Sequence, residues 1–312
     1  MSSRQMGPPT RDAFGERLAE LGKSNDRIVV VDGDVADSTR TKEFFNQFPN
    51  RAWNVGIAES NLVGVGAGLA AAGKTPVIAS FACFLLCNAY DQIRMGIAFP
   101  GLNAKLVGSH GGISPGEDGP SQMAVEDVAL ACALGGFTVI VPADAESTKA
   151  LTKAMIEHDG PVYMRTGRPN APAIYDTEPD LTLGRAITVR EGKDLTIIAN
   201  GLMVAEAMDA ADELAAAGTG ARVLDMHTVK PIDEDAISKA ASETGRIVVA
   251  EEHFAHGALG AAVAMVVGRR GTVPMAFVNV GDSYSTSGQP DELFKNAGIT
   301  TADIVAAAKS LL

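Results

Sequence analysis

Four segments of the sequence hold residues whose types and spacing suit chemistry. Asn54-Val55-Gly56-Ile57-Ala58-Glu59-Ser60-Asn61 sets a lone carboxylate, Glu59, at the mouth of an apolar, Gly/Ala-rich stretch. A carboxylate so placed either shares a proton with a buried ligand or simply sits well at a helix N-terminus. Ser80-Phe81-Ala82-Cys83-Phe84 puts Phe81 and Phe84 at the end of a β-branched run. Rings there either fill a core or stack on a flat heterocycle at the strand ends where α/β sheets bind ligands. Gly108 to Gln122 gathers glycines, two prolines, His110, Glu117 and Asp118 in one loop. So many backbone-special residues together mark an active-site loop. Arg165-Thr166-Gly167-Arg168 brings two cations to a strand end, suited to a phosphate.

The elements that must position these residues alternate. Short β-branched runs are expected as strands at 28–31, 77–81, 105–108, 137–141 and 162–165. Helical patterns fall at 12–21, 59–72, 86–98, 125–134 and 146–157. Such alternation predicts βαβ units and a parallel, doubly wound sheet covered on both faces. The stretch Arg168–Gly184, with Pro169, Pro172, Pro179 and acids at 176, 178 and 180, breaks the pattern and reads as a domain linker. Alternation then resumes, with strands near 195–199, 222–226, 247–250 and 276–280 and helices near 204–217, 234–241, 257–267 and 302–311. The fold class is therefore α/β in two domains, residues 1–175 and a smaller second domain over 186–312.

Composition narrows the function. The chain has 312 residues, 46% hydrophobic and 21% charged, a globular balance. Its formal net charge of −12 argues against general nucleic-acid binding. The polar start Met1-Ser2-Ser3 shows no secretory signal, and no uncharged run reaches the ~18–20 apolar residues of a bilayer span. Three cysteines, Cys83, Cys87 and Cys132, form no CxxC, so a reducing cytoplasm is expected and a zinc site is not. There is no GxGxxG after a strand, no P-loop, no GxSxG and no HExxH. The glycines at 64, 66 and 68 lie inside a helical pattern and read as close helix packing. His253 and His256, beside Glu251-Glu252, read as a surface or subunit contact rather than metal ligands, and no metal site is assigned to this chain.

Taken in order and spacing, the four segments resemble the C-terminal half of transketolase, a pyrimidine-binding domain followed by the transketolase C-terminal domain. The resemblance covers essentially the whole chain. Its most specific parts are Gly56-Ile57-Ala58-Glu59 and Gly116-Glu117-Asp118-Gly119-Pro120. It implies thiamine diphosphate as cofactor and transfer of a two-carbon ketol unit between sugar phosphates, as in the pentose phosphate pathway. By resemblance, Glu59 hydrogen-bonds the pyrimidine N1′ and favours the imino form that takes the C2 proton, and Phe81 and Phe84 surround the aminopyrimidine. Glu59 and His110 are the implied catalytic residues. Arg11, Ser38, His110, Asp118, Gln122 and Arg165 are the implied substrate contacts, with Arg11, Ser38 and Arg165 as the phosphate clamp.

Departures accompany the likeness. A family tyrosine is Cys87 here, and the usual Thr-His after Gly-Pro is Ser121-Gln122, where Gln122 donates or accepts hydrogen bonds but carries no proton. The family's Gly-Asp-Gly…Asn motif for diphosphate and metal is missing; Asp32-Gly33-Asp34 differs from it. The resemblance therefore implies a split enzyme. An N-terminal partner subunit would hold diphosphate and Mg²⁺ (or Ca²⁺) in an α₂β₂ heterotetramer. Two rivals stand beside this reading: the β-subunit of a 2-oxoacid dehydrogenase, and an idle α/β partner that only binds.

Overall fold

The computed structural model describes residues 4–270 and 273–312; the Met1-Ser2-Ser3 start lies outside the described residues. The strands, in chain order, are β1 (Met6–Pro9), β2 (Ile28–Asp32), β3 (Ala52–Asn54), β4 (Thr75–Phe81), β5 (Lys105–Ser109), β6 (Thr138–Ile140) and β7 (Val162–Arg165). Then follow β8 (Asn170–Pro172), β9 (Ile187–Arg190), β10 (Leu195–Ala199), β11 (Ala221–Asp225), β12 (Thr228–Lys230), β13 (Ile247–Ala250) and β14 (Met275–Val278). Seven strands form the first sheet in the order β12-β6-β7-β5-β4-β2-β3, and five form the second in the order β14-β13-β10-β11-β9. Each has one antiparallel edge strand, β12 beside β6 and β9 beside β11; the other pairs are parallel. The fold is α/β with two parallel-rich sheets, as the alternation predicts.

The apolar runs explain the layers. Strands β2, β5 and β10 are buried at every position, because helices cover both faces of a parallel sheet and leave no solvent side. One core packs Val31, Ile78 and Leu106 against Leu62, Val63, Leu85 and Leu86. The opposite face packs Val30, Val77 and Val107 against Phe14, Leu18, Leu151 and Met155. The second sheet carries two further cores, around Ile197 with Val204 and around Ile198 with Val263.

The order of the strands places the site. Neighbouring β2, β4, β5 and β7 run parallel in register, so Asp32 lies opposite Ala79, Phe81 opposite Ser109 and Gly108 opposite Arg165. All four chain exits therefore meet at one carboxyl edge, where open α/β sheets bind ligands.

Sequence patterning missed the small edge elements. Strand β12 leaves the second half and joins the first sheet's edge, where a three-residue segment has too little periodicity to be read. The stretch read as a linker is partly ordered: β8 pairs with β1, and the Asp144 carboxylate accepts the Ile174 and Tyr175 amides. The helix expected over 86–98 divides into Ala82–Asn88, Tyr90–Ile93 and a π-helical turn at Arg94–Ala98.

Gly66 is the tightest junction beneath the Glu59–Ala71 helix. A Cβ there would sit 2.3 Å from Ile78 Cδ1 and 2.5 Å from its Cγ1. Gly66→Ala is therefore expected to cost about 1–3 kcal/mol through overpacking, although alanine is the better helix former. Denaturant unfolding of the purified chain checks this.

Candidate active site

Glu59 begins its helix directly after the β3 exit, with no side-chain cap at Ala58. It is buried, and among the described residues Ser80 is its side-chain hydrogen-bond partner, the hydroxyl donating to Oε1 at 3.4 Å from the end of β4. Next to Ser80 on the same strand, the Phe81 ring lies parallel to Phe84 at 5.8 Å and to the His110 imidazole at 4.0 Å. Ser80 thus links the carboxylate to the β4 end from which the two phenylalanines follow.

His110 leaves β5 in the left-handed region, with φ 63°. Its ring is buried, with Nδ1 2.9 Å from Ser109 Oγ and Nε2 3.4 Å from Arg11 Nη1. Arg11 has only hydrogens to offer, so Nε2 accepts, and the Nδ1 proton is assigned to face Ser109. Burial, followed by the charges of Arg11, Arg168 and Arg40, pushes the His110 pKa down to about 3. The imidazole is therefore neutral at physiological pH, able to donate or accept a hydrogen bond but not to act as a cationic acid.

A cationic rim surrounds that ring. Arg11 donates to the Ser38 carbonyl at 3.1 Å, which ties the first helix to the turn after β2. That turn is pinned by Asp32, whose carboxylate accepts Thr39, Thr41 and the Val35 amide. Asp32-Gly33-Asp34 is thus a structural turn motif. Arg168 donates to the Pro115 carbonyl at 2.8 Å and lies 3.9 Å from Asp118. Asp118 sits on a 3₁₀ turn, Gly116–Asp118, with an exposed side chain, and Gln122 follows half-buried.

The structure does not bring Arg165 to this rim. Its side chain is 7% exposed and forked onto Asp127, with the remaining donors on the Ala124 and Glu252 carbonyls. Burial would raise the Asp127 carboxyl, but the guanidinium holds it below its ordinary range. Arg168, three residues on, is the half-exposed cation beside Asp118. The sequence offers both arginines. Only the strand's inward-facing register separates them, since the last position of β7 faces the seam between the two halves.

Glu251, Glu252 and His253 also find roles. Glu251 accepts the Leu259 and Gly260 amides and so caps the following helix. Glu252 accepts the Ser114 amide at 2.6 Å, and His253 accepts the Ala129 amide at 3.3 Å. All three are buried, which excludes the surface reading given to His253. Cys83, Cys87 and Cys132 are free thiols, and burial pushes their pKa values up to about 12, 11 and 12. Among the described residues no helix is long and apolar enough to cross a membrane, and no His/Cys/Asp/Glu group is placed to hold a metal ion.

Comparison with known proteins agrees with this geometry. The family model for the transketolase pyrimidine-binding domain matches residues 6–173, and that for the transketolase C-terminal domain matches residues 184–304. The chain is 43% identical over 298 residues to a 6-deoxy-6-sulfo-D-fructose transketolase subunit of Clostridium sp. (strain MSTE9), covering 96% of this chain and 92% of the relative. It is 40% identical over 292 residues to a putative transketolase C-terminal section of Methanocaldococcus jannaschii, covering 93% and 92%. A solved split gene transketolase, described as an inactive beta4 tetramer, superposes with a TM-score of 0.92 at 43% identity, covering 98% of this chain and 99% of that one.

Removing the buried guanidinium should act on stability. Arg165→Met is expected to cost about 3–5 kcal/mol, because Asp127 is left charged and unpaired in the interior. Chemical denaturation of wild type and variant checks it, and the Arg165→Met/Asp127→Leu double variant should recover part of the loss.

Proposed function

Because the chain belongs to the transketolase family and corresponds to the C-terminal half of its enzymes, we propose that it supplies the pyrimidine-side half of a split, thiamine diphosphate-dependent ketol transferase. Relatives that match along nearly their whole length are named as a transketolase subunit and a putative transketolase C-terminal section, which does not favour the 2-oxoacid dehydrogenase reading. The observation that carries the proposal is a buried carboxylate, Glu59, bonded by Ser80 at the end of β4, with the parallel Phe81 and Phe84 rings following Ser80 in the chain. An idle binding subunit has no need of that constellation, nor of His110 and Asp118 beside it.

The residues present fit the cofactor's aminopyrimidine. Glu59 has one weak side-chain partner recorded at 3.4 Å, which leaves its carboxylate able to accept a ring N–H. Phe81 and Phe84 present apolar faces to a flat ring. Thiamine diphosphate, when bound, supplies an acidic carbon and an electron sink. Glu59 would hold a proton on the pyrimidine ring nitrogen, and Ser80 would orient its carboxylate. Neutral His110 would take part in a hydrogen bond to a sugar oxygen, while Asp118 would accept from a hydroxyl. Gln122 would hydrogen-bond without exchanging a proton.

Arg11, Arg168 and the Ser38 turn form an anion site for the far end of the substrate, with Arg40 adding positive potential. A terminal phosphate or sulfonate matches equally well, so the substrate class is an anionic ketose donor with an anionic aldose acceptor. The motif for diphosphate and Mg²⁺ (or Ca²⁺) is assigned to an N-terminal partner subunit. An apolar face is left open on this chain: Ile57 is 79% and Phe99 82% exposed, and Gly64 and Gly68 on the Glu59–Ala71 helix have nothing within 4 Å of a built Cβ. That face supports a site closed by other chains, as in an α₂β₂ assembly, and the three free thiols suit a reducing cytoplasm.

Two measurements on the complex reconstituted with its N-terminal partner test this reading. Glu59→Gln should leave cofactor binding in place and slow hydrogen–deuterium exchange at the cofactor's C2 by at least about 100-fold, the scale of general acid–base contributions. Exchange at the wild-type rate would make Glu59 a helix-start residue only. Arg168→Ala removes a charge-assisted contact worth about 1.5–3 kcal/mol. The KM of anionic donors should therefore rise about 10- to 100-fold, with little change for an uncharged ketose.

A further inference from the structure

We propose that the second half of the chain is the positioning device of the substrate loop 110–122, with Glu252 as its positioning residue. This rests on the reading of His110 and Asp118 as substrate contacts.

The first hold is at Ser114. Glu252 follows β13, is buried, and accepts the Ser114 amide at 2.6 Å through Oε1. The backbone next to it is shaped around that carboxylate. A Cβ on Gly112, where φ is +76°, would lie 2.1 Å from Glu252 Cδ. Glycine is therefore required there twice over, for the left-handed backbone and for the close approach. The peptide of Glu252 continues the hold, since its carbonyl accepts Arg165 Nη1 at 2.8 Å while Arg165 Nη2 donates to Ala124 at 3.0 Å, just past the loop. Past Glu252, the Phe254 amide donates to the Val125 carbonyl at 2.9 Å.

The second hold is at the turn that carries Asp118. Gln289 Nε2 donates to Glu117 Oε1 at 2.7 Å. A Cβ on Gly119 would lie 2.5 Å from Ser287 Oγ, and one on Gly116 would lie 3.0 Å from the Gly288 carbonyl. The back of the loop is thus gripped from the second half at two places, while His110 and Asp118 meet Arg11 and Arg168 of the first half on the other side. Phe81 and Phe84 border the loop at His110 and Ala124, whereas Glu59, bonded by Ser80, has no hydrogen bond to either hold among the described residues. Loosening the loop should therefore weaken substrate binding while sparing cofactor activation, a separation that global destabilisation would not produce.

The test uses Glu252→Ala, Glu252→Gln and Gln289→Ala in the reconstituted complex. It reads amide hydrogen exchange over 111–122, C2 exchange of bound thiamine diphosphate, and donor KM and kcat. Glu252→Ala should speed amide exchange around Ser114 at least about tenfold. The donor KM should rise about 10- to 100-fold while C2 exchange stays within about twofold of wild type. Glu252→Gln should restore most of the KM, because the amide oxygen still accepts from Ser114. Gln289→Ala, a surface change that leaves the core intact, should speed exchange only over 117–119. A folded Glu252→Ala with wild-type loop protection overturns the proposal. So does an equal loss of C2 exchange and donor binding. If Glu252→Ala does not fold, wild-type protection over 117–119 in Gln289→Ala, together with an unrescued KM in Glu252→Gln, overturns it. If the wild-type complex transfers no ketol unit but loop protection follows Glu252 as expected, the functional reading fails and the positioning role stands.

Discussion

The guanidinium of Arg165 is the point through which the two halves of the chain are joined. It is forked onto Asp127 in the first half, takes the Glu252 carbonyl from the second, and closes on Ala124 beyond the substrate loop. Tyr163, from the same strand, donates its hydroxyl to the same carboxylate. A buried ion pair adds little net stability over a well-packed apolar one, so its value here is geometric. The planar guanidinium makes four hydrogen bonds in fixed directions at once, and an apolar contact would leave the seam free to slide. Gly111 records how closely the loop is drawn onto this group, since a Cβ there would lie 2.3 Å from Arg165 Cγ.

With the seam fixed, the electrostatics of the site follow from what is dry and what is wet. His110 is buried among three arginines and stays neutral. Arg168 and Asp118 remain at the rim, 3.9 Å apart and partly exposed. Such a pair contributes little to folding and is easily re-partnered by a ligand. The strongly desolvated charges, Arg165 and Asp127, hold the scaffold, and in the function proposed above the hydrated ones are those left for substrate.

Much of this was legible in the sequence. β7, β10 and β13 were bounded to the residue, because buried parallel strands read as continuous apolar runs between turn signals. Glu59, Phe81, His110 and Asp118 could be read as a site because they follow such runs, and strand ends in open α/β sheets gather at one edge. The edge strands β1, β8, β9 and β12 were not legible, since none of them is a continuous buried apolar run like β13. The choice between Arg165 and Arg168 was not legible either. Residue type is the same at both positions, and only tertiary register decides that one meets Asp127 and the other Asp118. Glu251-Glu252-His253 stayed unread for a related reason, because its partners lie in the helix that follows it and far back in the first half of the chain.

The division of labour between the sheets follows from these constraints. A parallel sheet delivers side chains to its edge with the precision of its hydrogen-bond register, but the loop from Gly108 to Gln122 must leave that register to reach a substrate. A glycine-rich loop loses much conformational entropy on ordering, and the loop's recorded internal backbone bonds are a few short turns together with the Gly112–Ala124 bridge. Additional order has to come from outside, and the second sheet is the body packed behind it. Its strand β13 ends where Glu251 caps a helix, Glu252 meets the loop and His253 meets Ala129, so three consecutive side chains anchor in three directions. Under the positioning role proposed for Glu252, a domain whose described residues stand apart from the Arg11, Arg168 and Asp118 rim would still govern it, because it carries groups that hold a permissive loop in one conformation.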